Sequence, residues 1–278
     1  RRGGVTGASR FRDFHVSALR TYHTGMLRKL RLPILAALIL GFFLAVGHGL
    51  PGTSVAVGGQ VERPVVVELF TSQGCSSCPP ADALLGELAE RPGVLALSLH
   101  VDYWDYIGWA DPFASPEMTE RQRAYARARG ERMVFTPQMI IDGTVDVVGS
   151  REGDVLAAIT SAARNQRGVA VDIDPEAARV SVPEGAAPEG GADVWIVFFD
   201  DKHSSEIEAG ENNGRKLTYH HVVREWRRLG TWTGAPFEAA LGQDAVGPNA
   251  FDGCAIIVQA RGAGPILGAA VMRPDAGS

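Results

Sequence analysis

Two cysteines three residues apart, Cys75-Ser-Ser-Cys78, stand between an apolar, β-branched run and a pair of prolines, and that junction constrains the fold more than any other feature. Val65-Val-Val-Glu-Leu-Phe70 has the composition of a buried strand. Thr71-Ser-Gln-Gly74 is a polar turn. Pro79 and Pro80 fit the opening turn of a helix, where backbone N–H groups lack an intrahelical partner. Leu84, Leu85 and Leu88 form a stripe at helical spacing, and Arg91-Pro-Gly93 ends it. A spacing of three on an opening helical turn puts both sulfurs on one face, close enough for a disulfide, which needs Cα atoms ~4.4–6.8 Å apart. The positive end of the helix favours a thiolate on Cys75, which attacks, while Cys78 resolves the mixed disulfide. The uncharged Ser76-Ser77 dipeptide predicts a less oxidising pair than one containing a cationic ring. A purely structural disulfide is the alternative.

Downstream, Val94–Val101 reads as a second strand, Glu117–Arg129 as a helix started by Ser115 or Pro116, and Gly153–Arg164 as a third helix. Gln138–Asp142 and Val145–Val148 flank Asp142-Gly143, a hairpin signal. The order β-α-β-α-β-β-α, with Cys-x-x-Cys where the first strand enters the first helix, predicts a thioredoxin-like domain over residues 64–167. From Val169 the texture changes to strand-like runs separated by Gly, Pro, Asn and Asp, which predicts a mostly β C-terminal domain over residues 168–278.

Three further features belong to the predicted site. Pro137, after Thr136 and before the third strand, occupies the place of a cis proline facing the cysteine pair; an ordinary trans proline opening a strand is the alternative. Thr136 then offers its backbone to an extended substrate. Glu68 is an acid inside an apolar strand. It either lies buried with a raised pKa and relays a proton from Cys78, or faces solvent at the strand end. His100, Asp102, Tyr103, Trp104, Asp105 and Trp109 form a polar, aromatic loop suited to wall the cysteines. His100 with Cys75 and Cys78 also makes an alternative soft-metal set, since thiolate and imidazole suit copper or zinc; otherwise no cofactor is expected. Gly210-Glu-Asn-Asn-Gly214 reads as a structural turn, His220 and His221 alternate faces of the strand after it, and Cys254 reads as a core thiol.

Charge bears on compartment and partners. Of 27 Lys and Arg, eight lie in residues 1–50 beside one of the 32 acids, which leaves 19 bases against 31 acids, a net −12. An acidic body excludes a phosphate backbone as partner. Arg28, Lys29 and Arg31 precede an apolar run from Leu32 to Val46, too short for a spanning helix and suited to an export signal over residues 26–50. Cleavage is expected between Gly49 and Gly58, after either Gly47-His-Gly49 or Ser54-Val-Ala56; an uncleaved anchor is the alternative and the sole membrane contact expected. Residues 1–25 read as an extension upstream of a start at Met26, and residues 51–63 as a linker. A periplasmic or secreted location follows.

The stretch Val67-Glu-Leu-Phe-Thr-Ser-Gln-Gly-Cys-Ser-Ser-Cys-Pro-Pro80 resembles the signature of a bacterial exported family, the domain of unknown function numbered 1223. His100-Val-Asp-Tyr-Trp-Asp105, Thr136-Pro-Gln138, Gly210-Glu-Asn-Asn-Gly214 and Asp252-Gly-Cys-Ala255 extend the resemblance from residue 64 to about 271. It implies a thioredoxin-like fold and secretion, and no particular activity. Cys75, Cys78 and Pro137 match the redox pair and cis proline of thioredoxin-like proteins by position, while Ser-Ser departs from the familiar oxidoreductase dipeptides. The expected activity is thiol–disulfide exchange with protein thiols, disulfides or a redox partner protein. A copper-delivery module and a non-catalytic envelope protein are the alternatives.

Overall fold

The computed structural model of the chain describes residues 63–242, 245 and 251–273. The extension, the signal segment and all but the last residue of the linker lie outside them.

Through residue 164 the elements follow the sequence pattern: β1 Val65–Thr71, α1 Pro79–Ala89, β2 Val94–His100, α2 Pro116–Arg129, β3 Gln138–Ile141, β4 Val145–Val148 and α3 Glu152–Arg164. Ser115 caps α2, its hydroxyl accepting from the Met118 N–H. Three residues join β3 to β4; Asp142 and Gly143 stand at positive φ (48° and 71°), and the Thr144 N–H closes the turn on the Ile141 carbonyl. Seven strands follow: β5 Asp172–Asp174, β6 Arg179–Val182, β7 Ala192–Glu206, β8 Lys216–Trp232, β9 Phe237–Ala240, β10 Gly253–Ala260 and β11 Ile266–Met272.

These later strands do not make a separate sheet sandwich. β7, β8, β10 and β11 extend the first sheet, giving eight strands in the order β11-β10-β7-β8-β2-β1-β3-β4. β1 and β2 run parallel, β8 joins β2 in parallel at Ser98–Val222, and the remaining neighbours are antiparallel. Only β5, β6 and β9 form a second, three-stranded sheet.

The expected boundary near residue 168 falls inside this continuous packing. A Cβ on Gly168 would come within 1.7 Å of the Leu267 carbonyl oxygen, and the Val169 N–H donates to that same oxygen. The described residues accordingly belong to one compact unit. The reason is shared apolar surface. Phe70, Leu97 and Leu99 from the first half lie in one buried cluster with Val197, Phe199, Ala255 and Ile257 from the second, beneath Met118 and Tyr125 of α2. On the opposite face, α1 and α3 cover Val65, Val67 and Leu69. The small sheet covers Ile196, Phe198, Ile256 and Val258. Among the described residues, no helix is long and apolar enough to cross a membrane.

Candidate functional site

Cys75 and Cys78 are joined by a disulfide with Cα atoms 5.4 Å apart. Cys75 lies in the turn after β1, its N–H donating to the Ser72 carbonyl, and Cys78 is the N-cap of α1. The helix therefore opens at the second cysteine, one turn later than the spacing suggested. Its first two residues, Pro79 and Pro80, have no N–H to offer, and the N–H groups of Ala81 and Asp82 both donate to the Cys78 carbonyl. Cys75 and Cys78 are 1% and 0% exposed, whereas Ser76 and Ser77 are exposed above them.

The Thr136–Pro137 peptide is cis and lies beside this loop. The Ser77 hydroxyl is within 3.5 Å of the Thr136 carbonyl oxygen and 3.4 Å of the Cys75 sulfur. Trp104 donates its indole N–H to the Thr136 hydroxyl at 2.8 Å, and Trp109 donates to the Gln73 side-chain oxygen at 2.8 Å. The aromatic loop after β2 is thus tied to Thr136 and to Gln73, two residues before Cys75.

Glu68 is not part of this group. Strand alternation places it on the face of Val66 and Phe70, under α2, whereas α1 packs on the Val67 and Leu69 face. There it is fully buried and accepts from Arg121, whose Nε lies 2.9 Å away and whose Nη2 makes a closer contact. The Arg121 guanidinium stacks 3.6 Å from the Trp226 ring, beside a cleft of about 330 Å3 also lined by Met118, Trp195 and Gln259. This geometry makes Glu68 an ion-pair partner of Arg121 and leaves the predicted relay from Cys78 without support.

A second buried carboxylate, close to the cysteines in sequence, is Asp82, which sequence reasoning passed over. It sits one helical turn after Cys78 and is buried. Thr71 donates to its Oδ1 at 2.7 Å, while Oδ2 has no hydrogen-bond partner among the described residues. Burial pushes the Asp82 carboxyl up to about 7, against the lowering pull of Thr71 and of His100. Its signal was an acid in line with Leu85 on the apolar stripe of α1, four residues from a cysteine.

His100 does not approach a metal set. Its Nδ1 is 2.7 Å from Asp111 Oδ2, and both side chains are fully buried. Among the described residues, no three His, Cys, Asp or Glu side chains are placed to hold a metal ion. Burial pushes Asp111 up, but His100 and the N–H groups of Gln73 and Phe113 outweigh it and hold the carboxyl below its ordinary range. Tyr219 packs edge-on against His100 at 4.8 Å, and burial holds its phenol protonated. His220 packs against Gly86 of α1, and His221 donates from Nδ1 to the Ala96 carbonyl at 2.8 Å, so neither joins the cysteine loop. Cys254 is buried in β10.

The segment read as a structural turn reaches the site as well. Residues 207–215 connect β7 to β8, and Asn212, 1% exposed, donates to the carbonyls of Gln73 and Cys75 at 2.9 and 3.0 Å. Glu211 accepts from the Ser76 N–H at 3.2 Å.

Asp82 gives a pH prediction. Its folded pKa of about 7 exceeds the ordinary 3.8, so between those values the native state holds the proton more tightly than the unfolded chain. Stability therefore falls as pH rises from about 4 to 7. Asp82→Asn is expected to flatten that slope and gain roughly 2–3 kcal/mol over the parent at pH 8, measured by urea unfolding at pH 5 and 8. An unchanged difference between the two pH values would refute the assignment.

A family model described as a protein of unknown function, DUF1223, matches residues 66–259. An Agrobacterium tumefaciens protein solved by X-ray crystallography is similar at 33% identity, over 79% of this chain and 98% of that one, with a TM-score of 0.68. HBP35 of Porphyromonas gingivalis aligns over 79% of each chain at 13% identity and a TM-score of 0.48. No curated protein matches.

Proposed function

The chain belongs to the DUF1223 family, and for it we propose the role of an exported thiol–disulfide oxidoreductase with a thioredoxin-like redox centre. The observation that carries this reading is the Cys75–Cys78 disulfide at a strand-to-helix junction, beside the Thr136–Pro137 segment and one helical turn from the buried Asp82 carboxylate. A structural staple needs neither neighbour. Export is part of the proposal and rests on the basic and apolar character of residues 26–50.

In the reduced protein, the Cys75 thiolate attacks one sulfur of a partner disulfide and expels the other as a thiolate. The Cys78 thiol gives its proton to Asp82 and attacks Cys75, which releases the second partner sulfur and closes the Cys75–Cys78 bond. The two electrons pass from the protein dithiol to the partner disulfide. A buried carboxyl near pKa 7 is matched to that proton transfer at neutral pH. Because both cysteines lie beneath Ser76 and Ser77, attack requires a partner segment thin enough to displace those side chains, such as an extended polypeptide or a small thiol. Displacing Ser77 also frees the Thr136 carbonyl to pair with that segment.

The Cys78→Ala variant tests the roles. Incubated with oxidised glutathione or a disulfide-containing peptide, it is expected to accumulate a one-to-one mixed disulfide at Cys75, read by intact mass. If the adduct does not form, while the parent disulfide resists millimolar dithiothreitol in the folded state, the pair is structural.

A further inference from the structure

The loop that joins β7 to β8 is fastened to the redox loop by a built set of contacts. Buried Asn212 holds the carbonyls of Gln73 and Cys75, and Arg215 donates to the Asn212 side-chain oxygen at 2.8 Å. Gly210 lies against Ile107 and Trp109, close enough that a Cβ would meet Ile107 at 3.2 Å. Trp109 in turn donates to Gln73, and Gln73 donates to the Ser205 hydroxyl near the end of β7. This frame delivers one exposed side chain, Glu211, to the backbone N–H of Ser76, next to Cys75.

That position matters for a thiolate. The groups that stabilise one at a strand-to-helix junction are backbone N–H donors and the positive helix end. Pro79 and Pro80 lack an N–H, those of Ala81 and Asp82 go to Cys78, and that of Cys78 goes to the Cys75 carbonyl. The Ser76 N–H is taken by a carboxylate. The donors left are the Ser77 N–H, which has no acceptor among the described residues, and the Ser77 hydroxyl, 3.4 Å from the Cys75 sulfur and shared with the Thr136 carbonyl at 3.5 Å. A like charge beside a titrating group disfavours its anion.

We propose that Glu211 is a positioning residue that weakens the Cys75 thiolate, biases the pair toward its disulfide and so makes the protein a reductant of partner disulfides. The proposal rests on the redox reading above. Each cycle oxidises the Cys75–Cys78 dithiol to a disulfide and reduces one partner disulfide to two thiols; a dithiol donor protein returns two electrons and two protons to the pair.

The test is a titration of thiolate absorbance at 240 nm in the full chain carrying Cys78→Ala, with Glu211, Glu211→Gln or Glu211→Lys. The Gln variant keeps an acceptor for Ser76 and removes only the charge. The other charged groups around the loop, Asp82, His100, Asp105, Asp111 and Arg215, are the same in all three proteins. The Cys75 midpoint is expected to fall by about half to one pH unit in Gln and further in Lys. Because Glu211 is exposed, the shift should shrink as ionic strength rises from about 0.05 to 1 M, which a merely structural contact would not produce. With Cys78 restored, the equilibrium of Glu211→Gln with glutathione should move roughly three- to tenfold toward the dithiol. Equal midpoints in the three proteins overturn the role of Glu211, even if the pair exchanges with glutathione. Shifted midpoints in a protein whose disulfide does not exchange leave that role intact and overturn the redox reading instead.

Discussion

Cys75→Ser is expected to bring dithiothreitol-driven reduction of insulin down to the uncatalysed rate, a loss on the order of a hundredfold or more. The size follows from its place in the reaction. Both cysteines are buried, but Cys75 lies in the turn ahead of the helix beside the Ser77 hydroxyl, while Cys78 is held in the backbone of the α1 N-cap, which makes Cys75 the one that a displaced Ser77 would uncover. Cys78→Ala should also lose turnover, yet retain one attack per molecule. The two variants therefore separate attack from resolution: Cys75→Ser gives no mixed disulfide and Cys78→Ala gives one. Comparable adducts at residue 78 in Cys75→Ser would reverse the assignment. Turnover retained by Cys75→Ser would remove the pair from the reaction.

Glu68→Ala is expected to cost about 3–5 kcal/mol of folding stability, because it leaves the largely buried Arg121 guanidinium without its carboxylate partner. Arg121 is about 10% exposed in its side chain, and Glu68 is fully buried. Tyr125, Gln259 and the Trp226 ring would remain around the cation, but none carries a compensating charge. Replacing both partners, Glu68→Leu with Arg121→Met, should cost far less, since no charge is then left buried. Urea unfolding of the parent, both singles and the double gives the coupling directly. A Glu68→Ala loss below about 1 kcal/mol would mean that water reaches Arg121 and that the pair contributes little.

Pairing across the strands explains much of what the sequence left unread. The run through Lys202–Glu206 and Arg224–Arg228 is polar enough to hide a strand, but β7 and β8 pair over most of their 15 and 17 residues. Backbone hydrogen bonds to a long partner hold such segments extended whatever their side chains. Phe237–Ala240, four residues with little pattern of their own, became β9 by pairing with β6. A change in texture near residue 168 marks a shift in composition and does not report that Leu97 and Ile257 share one core.

What the sequence determined by itself is what local chemistry decides. A β-branched run, a spacing of three between cysteines, two prolines and a leucine stripe specify the β1–α1 junction, since each acts within a turn or two of its own position. Asp142-Gly143 specified its hairpin for the same reason. The tertiary structure decided everything that depends on which distant segment arrives. Glu68 met Arg121 from 53 residues away, and Asp82 was buried beneath Thr71 and near a His100–Asp111 pair. Glu211 and Asn212 reached the cysteine loop from more than 130 residues away. A carboxylate's charge state depends on its solvation and neighbours, and those are properties of the packed chain.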